Sequence, residues 1–444
     1  MNKENKENII TYFDSIAPER PKWKNRNRYY YSYLNGFIDF LVPKNEKTLK
    51  IEVGDTSFWK NAAVRAQKYE YIVITDVLGY VRDVQEFVQQ AASLLEPNGR
   101  IVITEYNALW EPVLKFGSKI GLRMPYVQQN WLSMGDLKNM TYLAGLEVVK
   151  SGTKMLVPKY IPLVSAFFNI FVANVFPFSR LGLFHFIVVR PASSVRHAAV
   201  KDRTNPSFSI VVPARNEAGT IEKIVQELPT LGAFTELIFI EGNSKDNTYA
   251  EIVRVAEKYK HSKKIKYAKQ EGKGKGDAVR KGFDMATGDI LAIYDADMTV
   301  PAEEVEKFYH AIADNKGDFI NGSRLVYPLE KESMRIINFF GNKFFSFAFS
   351  SILGQPLKDT LCGTKVLWRS DYEEIQKNRA FFGDFDPFGD FDLLFGATKL
   401  NLKIVDLPIH YKERIYGETN INRWSHGWLL LKMTVFAARK IKFI

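Results

Sequence analysis

Hydrophobic and polar positions alternate along this chain in blocks that read as strands feeding polar loops. The clearest block is Ile290 to Val300, ILAIYDADMTV, an apolar run of strand length that passes directly into two carboxylates one residue apart. A continuous apolar run predicts a strand buried on both faces of a mostly parallel sheet. Asp295 and Asp297 then stand at its carboxyl end, the edge where open α/β sheets bind ligands. Residues two apart on an extended segment point the same way, so both carboxylates are expected to reach one hard cation from one side. Upstream, Phe208 to Val212 and Leu237 to Glu241 predict two further buried strands, followed by the loops PARNEAGTI and EGNSKDNT. In the second loop Ser244 and Asp246 read as an N-cap pair for the next helix. A strand near Lys264 to Ala268 precedes QEGKGKGDAVRKG, whose glycines permit close backbone approach and whose lysines suit a phosphate chain. Taken alone, that loop reads as a flexible basic turn.

The N-terminal part begins with a basic, aromatic segment, Tyr12 to Tyr33, containing APERPKWKNRNRYYYSYL. A helix Gly36 to Leu41, a strand Thr48 to Val53, a short polar helix, a strand Tyr71 to Thr75, a helix Val84 to Leu95 and a strand Arg100 to Glu105 follow. This is the pattern of βαβ units. Met155 to Phe178 is strongly apolar but is interrupted by Asn169, Asn174 and Pro177, and a strand Phe184 to Val189 follows at once. A buried or interfacial helix pair is expected there in preference to a membrane span. The polar stretch Pro191 to Pro206 reads as a linker, which gives domains at 1–190 and 207–444.

Composition narrows the partners. A formal net charge of +11 over 444 residues points to an anionic partner: nucleotide, phospholipid surface, polyprenyl phosphate or nucleic acid. No nucleic-acid recognition motif is present, so nucleic acid is not expected. Cys362 is the sole cysteine, which excludes an internal disulfide and favours a reducing compartment. The opening residues, MNKENKENIITYF, lack the apolar core of a signal peptide, so a cytoplasmic protein is expected.

Four motifs in order, Val211 to Ile221 (VVPARNEAGTI), Ile240 to Thr248 (IEGNSKDNT), Gly274 to Ala278 (GKGDA) and Tyr294 to Pro301 (YDADMTVP), resemble family 2 glycosyltransferases of the GT-A fold. The likeness runs from Ser207 to about Lys442 and is strongest to the branch that makes dolichyl- or undecaprenyl-phosphate sugars. It implies a nucleotide-sugar site formed by Pro213, Arg215, Glu217, Glu241, Asn243, Ser244, Asp246, Lys275, Asp277, Asp295 and Arg324. Within it Pro213 and Glu217 lie against the nucleoside, Asp246 orients its loop and Lys275 faces the phosphates. Asp295 and Asp297 hold Mg²⁺ or Mn²⁺, and Asp295 also contacts the ribose. Glu241 stands where the family usually has an Asp against the base, which leaves the base open.

The acceptor side follows. Gly322, Ser323 and Arg324 close a strand, and Arg335 to Leu353 forms an apolar aromatic helix that is either a core helix or, as the resemblance implies, an interfacial one. DTLCGTKVLWR, Asp359 to Arg369, matches the strand behind the sugar pocket, with Cys362 a buried structural thiol. In FFGDFDPFGDFDLLFGA, Asp390 and Asp392 align with paired acids of polyprenyl-phosphate glucosyltransferases. HYKERIYGETNINRWSHGW resembles the ERxxGxSK segment, with Arg414, Gly417 and Thr419 in place and Asn420 where the lysine would be. His410 and His426 show no metal-ligand spacing and read as structural. The catalytic set implied is Asp297, Asp390, Asp392 and Arg414. Transfer is expected to invert the anomeric centre, and an already ionised polyprenyl phosphate acceptor would need no strong base. A sugar hydroxyl would call on Asp390 or Asp392. A peripheral position on the cytoplasmic membrane face fits this acceptor.

The N-terminal pattern, at Tyr29 to Leu41, Glu70 to Val81, Leu94 to Glu105 and Gln129 to Val148, resembles class I methyltransferases that use S-adenosylmethionine. Departures from the family are marked. Its first strand reads IEVGD and continues TSFWKNAAV without a second glycine, and the following βα unit, whose acid would hold the ribose, has no room. The expected architecture is a truncated Rossmann-like methyltransferase domain followed by a GT-A α/β domain. S-adenosylmethionine is not expected to bind, and the first domain is read as a packing or docking platform that helps seat the second on a membrane. An active methyltransferase and a nucleotide-sugar-binding scaffold without turnover are the competing readings.

Overall fold

The computed structural model describes residues 3–43, 47–64, 66–124, 130–192, 205–327, 336–381, 389, 391–414, 416 and 423–443. Two compact units result, Met1–Ala199 with Phe443–Ile444, and Val200–Lys442.

The first unit is built on β1 (Thr48–Glu52), β2 (Tyr69–Thr75), β3 (Leu95–Tyr106), β4 (Leu146–Lys154) and β5 (Phe184–Pro191), in the sheet order β1-β2-β3-β5-β4. β1, β2 and β3 are parallel, whereas β5 runs antiparallel to both of its neighbours. Alternate side chains serve opposite faces. Ile72, Ile74, Ile101 and Ile103 enter one buried cluster, and Tyr71, Val73 and Val102 enter the other. Register shifts at Tyr69/Tyr71, so the strand reaches further back than Arg100 by way of an irregularity.

Three helices occupy the basic aromatic start: Lys3–Ile16, Arg20–Arg26 and Arg28–Leu41. The last is longer than the helix expected from Gly36, because Tyr30, Leu34, Phe37, Ile38 and Leu41 form one buried stripe at helical spacing. Between β1 and β2 the chain forms only the four-residue helix Ser57–Lys60, whose Phe58 and Trp59 are buried against Phe13 and Phe87. β1 is therefore an edge strand.

The expected helix pair at Met155 to Phe178 is reduced to one short helical run, Val164–Ala166 continuing without a gap as Phe167–Phe171 and Val172–Asn174. Asn169, inside this run, fastens it to the segment before it. Its Oδ1 accepts the Leu156 and Val157 N–H groups at 2.8 Å each, while its amide donates to the Val157 carbonyl at 2.9 Å and to Tyr29 Oη at 3.2 Å.

The second unit carries β6 (Phe208–Ala214), β7 (Thr235–Glu241), β8 (Lys264–Lys269), β9 (Ile290–Ile293), β10 (Phe319–Ser323), β11 (Lys365–Trp368) and β12 (Ile404–Pro408). Their order is β12-β10-β11-β9-β6-β7-β8. β9, β6, β7 and β8 are mutually parallel, and β11 is antiparallel to both β9 and β10. The chain leaves β6 toward β7 on one side and returns to β9 on the other, so the β6/β9 border is the switch point at which such sheets form a ligand crevice. Helix Lys275–Met285 lies on β6 and β7, with Gly276, Ala278, Val279, Gly282 and Phe283 buried and Gly282 against Val211 of β6. Any side chain at Gly282 would collide with Val211, so close packing fixes where Lys275, at the helix start, projects.

The Asn169 arrangement gives one prediction. Asn169→Ala leaves two buried N–H groups and a carbonyl without that partner, at about 1–3 kcal/mol each where water does not replace it. A lowered thermal midpoint and new proteolytic cleavage within 156–181 are expected, and wild-type protease resistance would contradict the role assigned to Asn169.

Candidate active site

β9 stops at Ile293, two residues short of Asp295, and the chain then turns. Tyr294 N–H still pairs with the Val211 carbonyl at 2.9 Å, but Met298 adopts φ 54° and its N–H meets the Asp295 carbonyl at 3.3 Å. Strand alternation therefore does not position the two carboxylates, contrary to the expectation from spacing; a turn does. Each carboxylate meets a cation from a different loop. Lys275 Nζ lies 2.5 Å from Asp295 Oδ1, and Arg414 Nη2 lies 2.9 Å from Asp297 Oδ2. Asp297 Oδ1 accepts from Thr299 N–H at 3.2 Å and Thr299 Oγ1 at 2.9 Å. Burial works to raise the Asp295 pKa, but Lys275, with Lys365 and Arg324, outweighs it and holds the carboxyl below its ordinary value.

Arg414 also reaches Glu217, with Nη1 2.7 Å from Oε1. Burial pushes the Glu217 carboxyl up to about 7 against the pull of Arg414. The loops after β6 and β7 interlock through side-chain-to-backbone bonds. Asn216, at φ 58°, donates its N–H to Ser244 Oγ at 3.0 Å, and its own Oδ1 accepts from Lys245 N–H at 2.7 Å. Ala218 N–H donates to Asp246 Oδ2 at 3.3 Å, while Asp246 Oδ1 accepts from Thr248 N–H at 3.0 Å. Asn247 holds the N-cap position of the helix Thr248–Tyr259 without a side-chain cap bond, so neither predicted residue is the cap: Asp246 ties the first helical N–H to the loop after β6, and the Ser244 hydroxyl serves that same loop. Glu241 turns inward and accepts Ser244 N–H at 2.5 Å. Asn243 takes a left-handed conformation, Pro213 lies in β6 opposite Ile240, and Arg215 is exposed. The Tyr416 ring lies on Gly219, and its hydroxyl is 3.5 Å from Asp246 Oδ2.

Beneath these loops, Arg324 and Asp359 form a buried two-pronged pair, Nε–Oδ2 at 2.7 Å and Nη2–Oδ1 at 2.9 Å, with Asn342 Nδ2 adding a third bond at 2.9 Å. Burial opposes ionisation of Asp359, but Arg324 dominates and brings its carboxyl down to about 2. The segment from Asp359 to Thr364 then passes under Asp295. A methyl group on Gly363 would collide with Asp295 Oδ2 and Lys275 Nζ. Lys365, fully buried in β11, donates to the Cys362 carbonyl at 2.5 Å, and burial raises the Cys362 thiol to about 11.

Two expected site residues point elsewhere. Asp277 accepts Gly272 N–H at 2.8 Å and so closes the glycine loop onto its own helix. Asp392 lies 3.4 Å from both Arg280 and Arg379, and with them lines a cavity of about 310 Å³. Asp390, Gly417, Thr419 and Asn420 lie outside the described residues, as does the side chain of His426. His410 stacks on Tyr327 and sits 2.7 Å from Glu304. Sequence patterns do not single out the roles of Asp359, Asn342, Gly363, Lys365, Arg280 and Arg379. Only the run DTLCGTKV carries a signal, an acid and a glycine flanking the one cysteine.

Two carboxylates presented by one turn offer the oxygen donors that suit a hard divalent cation. Among the described residues no third His, Cys, Asp or Glu joins them, so Asp295 and Asp297 would share such an ion with substrate oxygens.

Residues 209–376 match the family model for glycosyl transferase family 2, and residues 15–151 match a methyltransferase domain model. The chain thus joins a family 2 glycosyltransferase domain to a methyltransferase-like domain. Glycosyltransferase AglD of Haloferax volcanii is 24% identical over 51% of this chain and 36% of its own length. Human dolichyl-phosphate beta-glucosyltransferase is 26% identical over 52% of this chain and 74% of its own length. The chain therefore spans about a third of the first relative and about three-quarters of the second. Glucosyl-3-phosphoglycerate synthase from Mycobacterium tuberculosis, solved with UDP, is 16% identical at a TM-score of 0.39, covering 55% of this chain and 83% of that one.

Gly363→Ala is predicted to reduce sugar transfer about a hundredfold, the scale expected when a reacting group is misplaced by roughly 1 Å. Circular dichroism should stay unchanged. A variant with wild-type turnover would show that Gly363 does not set the position of Asp295.

Proposed function

We propose that the chain transfers a sugar, with inversion, from a nucleoside-diphosphate sugar to a polyprenyl phosphate at the cytoplasmic face of a membrane, assisted by Mg²⁺ or Mn²⁺. The observation that carries this reading is the pairing of Asp295 with Lys275 and of Asp297 with Arg414 at the switch point of the sheet. Loops after β6 and β7 provide the nucleoside wall, with Pro213, Arg215, Glu217, Glu241, Asn243, Ser244 and Asp246. Lys275 and Arg414 are placed to face phosphate oxygens, where fixed positive charge stabilises a departing diphosphate. A divalent ion on Asp295 and Asp297 would add the same neutralisation at the leaving group. Arg324 acts from below by anchoring Asp359 and the Gly363 segment.

The acceptor follows from Asp392. A hydroxyl acceptor needs a group to take its proton, and Asp392 would first have to leave Arg280 and Arg379. A phosphate acceptor is already ionised and needs no such release. Phe344 and Phe347, 57% and 77% exposed on the helix Ile336–Leu353, give the transferase unit a lipid-facing surface near its acceptor side. None of the described helices is long and apolar enough to cross a membrane.

For the first unit we read a fold that holds no S-adenosylmethionine. Phe58 and Trp59 fill the space beside the end of β1, and Arg20 lies against Gly54, where a cofactor loop would need open backbone.

Two measurements test these readings. Asp297→Ala should lose at least about a hundredfold in transfer rate, and EDTA should silence the wild type, as expected when charge at the leaving group goes unneutralised. Full activity in either case contradicts the metal-assisted reading. Isothermal titration of the full chain with S-adenosylmethionine should give no saturable heat, and a micromolar affinity would falsify the closed-pocket reading.

A further inference from the structure

We propose that the N-terminal unit is a membrane-binding module that sinks an aromatic surface into the headgroup layer of an anionic phospholipid bilayer. The surface is built from Tyr160–Leu181 and the helix Glu111–Lys119. It stands apart from the transferase reading and does not depend on it.

From Lys159 to Phe168 every side chain but Ser165 is exposed, and Leu163 and Phe176 are 87% and 69% open. Phe116, 62% exposed, extends the surface from the neighbouring helix, which is tied to the segment where Trp110 Nε1 donates to the Leu181 carbonyl at 2.7 Å. Contiguous apolar exposure of this kind marks an interaction surface.

Polar groups of the segment point inward and are paired there. Ser165 Oγ donates to the Lys159 carbonyl at 2.6 Å and accepts Ile161 N–H at 2.7 Å. Asn174 accepts from Lys154 Nζ at 2.8 Å and donates to the Ile170 carbonyl at 2.7 Å. A surface segment facing water normally shows the reverse arrangement. Here the backbone is satisfied from within, which is what an apolar surrounding demands.

Charge selects the occupant. Between Met155 and Arg190 the sequence holds no Asp or Glu, only Lys159, Arg180 and Arg190. The helix beside it, with the residues that follow, reads RPKWKNRNR from Arg20 to Arg28; Arg20 and Lys24 pair with Glu52, and Lys22, Arg26 and Arg28 stand exposed. It is held against the apolar segment by Lys159 Nζ on Asn27 Oδ1 at 2.7 Å and by Tyr29 against Tyr160, ring centres 5.7 Å apart. An aromatic surface with a basic collar matches an anionic bilayer, where hydrophobic insertion and lipid charge act together. A second copy would bring collar against collar and repel it. The helical run Val164–Asn174 is too short to span a bilayer and fits an element lying in the interface plane.

Flotation of the full chain with phosphatidylglycerol/phosphatidylcholine vesicles tests this. Wild type should float, and Leu163→Ser/Phe167→Ser/Phe176→Ser should partition at least about a hundredfold more weakly, as expected for removing three inserted apolar side chains. Lys22→Gln/Arg26→Gln/Arg28→Gln should weaken binding to these vesicles while leaving weak binding to pure phosphatidylcholine unchanged. Thermal midpoints of both variants should match wild type, since the substituted side chains are exposed. The proposal is overturned if the apolar triple variant floats like wild type, or if Phe347→Ser alone abolishes flotation. It is equally overturned if light scattering without lipid shows a wild-type dimer that the apolar variant loses while its flotation persists.

Discussion

Two carboxylates crowded at the end of one strand repel each other unless each has a cation, and the transferase unit is arranged around supplying those cations. Asp295 takes Lys275 from the start of a helix, and Asp297 takes Arg414 from a loop beyond the last strand. Neither cation could hold its place on a loose scaffold. Lys275 is fixed because Gly282 lets its helix settle directly on Val211, and Asp295 is fixed because Gly363 lets the chain pass immediately beneath it. The passing segment is in turn anchored by Arg324 and Asp359, a buried pair that would be costly to break on one side only. One electrostatic requirement thus reaches, through two glycines and one ion pair, into three separate parts of the sequence.

Much of this is legible in the order of residues alone. The apolar run ILAI ending near two aspartates predicts a buried strand with both acids beyond its carboxyl end, and the fold has β9 and the two aspartates so arranged. The way the aspartates are presented is not legible, since the strand ends early and a turn with Met298 in the left-handed region takes over. Ser244 departs from expectation for a related reason. Sequence spacing shows a candidate N-cap, but only the fold shows that the neighbouring Asn216 N–H is the donor its hydroxyl meets. The roles of Asp359, Gly363 and Lys365 depend on a segment distant in sequence lying under β9, and no local pattern encodes that crossing.

The N-terminal unit shows the opposite balance, an apolar pattern that is plain in the sequence but takes a different shape in the fold. Length and hydropathy at Met155 to Phe178 suggest a helix pair, yet the fold keeps one short helical run, Val164–Asn174, which Asn169 fastens to Leu156 and Val157. Strand ends in this unit also carry acids, Asp76 after β2 and Glu105 within β3. Both are buried and both carboxyls are pushed up, by burial first and, for Glu105, by the charge of Asp76. Tyr30 donates to Asp76 at 3.2 Å, so a helix of the basic aromatic segment covers that edge of the sheet.

The Arg414 loop links the turn carrying the two aspartates to the loops after β6 and β7. Arg414 binds Glu217 and Asp297 together, and two residues later Tyr416 lies on Gly219 and reaches Asp246. The loop after β6 is therefore gripped at both ends by one short stretch of the C-terminal part, and that stretch is also pinned where Lys412 N–H meets the Thr299 carbonyl at 2.8 Å. Guanidinium and ammonium groups that pair with carboxylates pair equally well with phosphate oxygens, and arginine does so in a fixed planar geometry. A diphosphate between Lys275 and Arg414 would draw on the same cations that hold the two aspartates and Glu217. Donor binding and the position of the loop after β6 are then coupled through a single side chain, because any shift of Arg414 toward phosphate loosens its hold on Glu217.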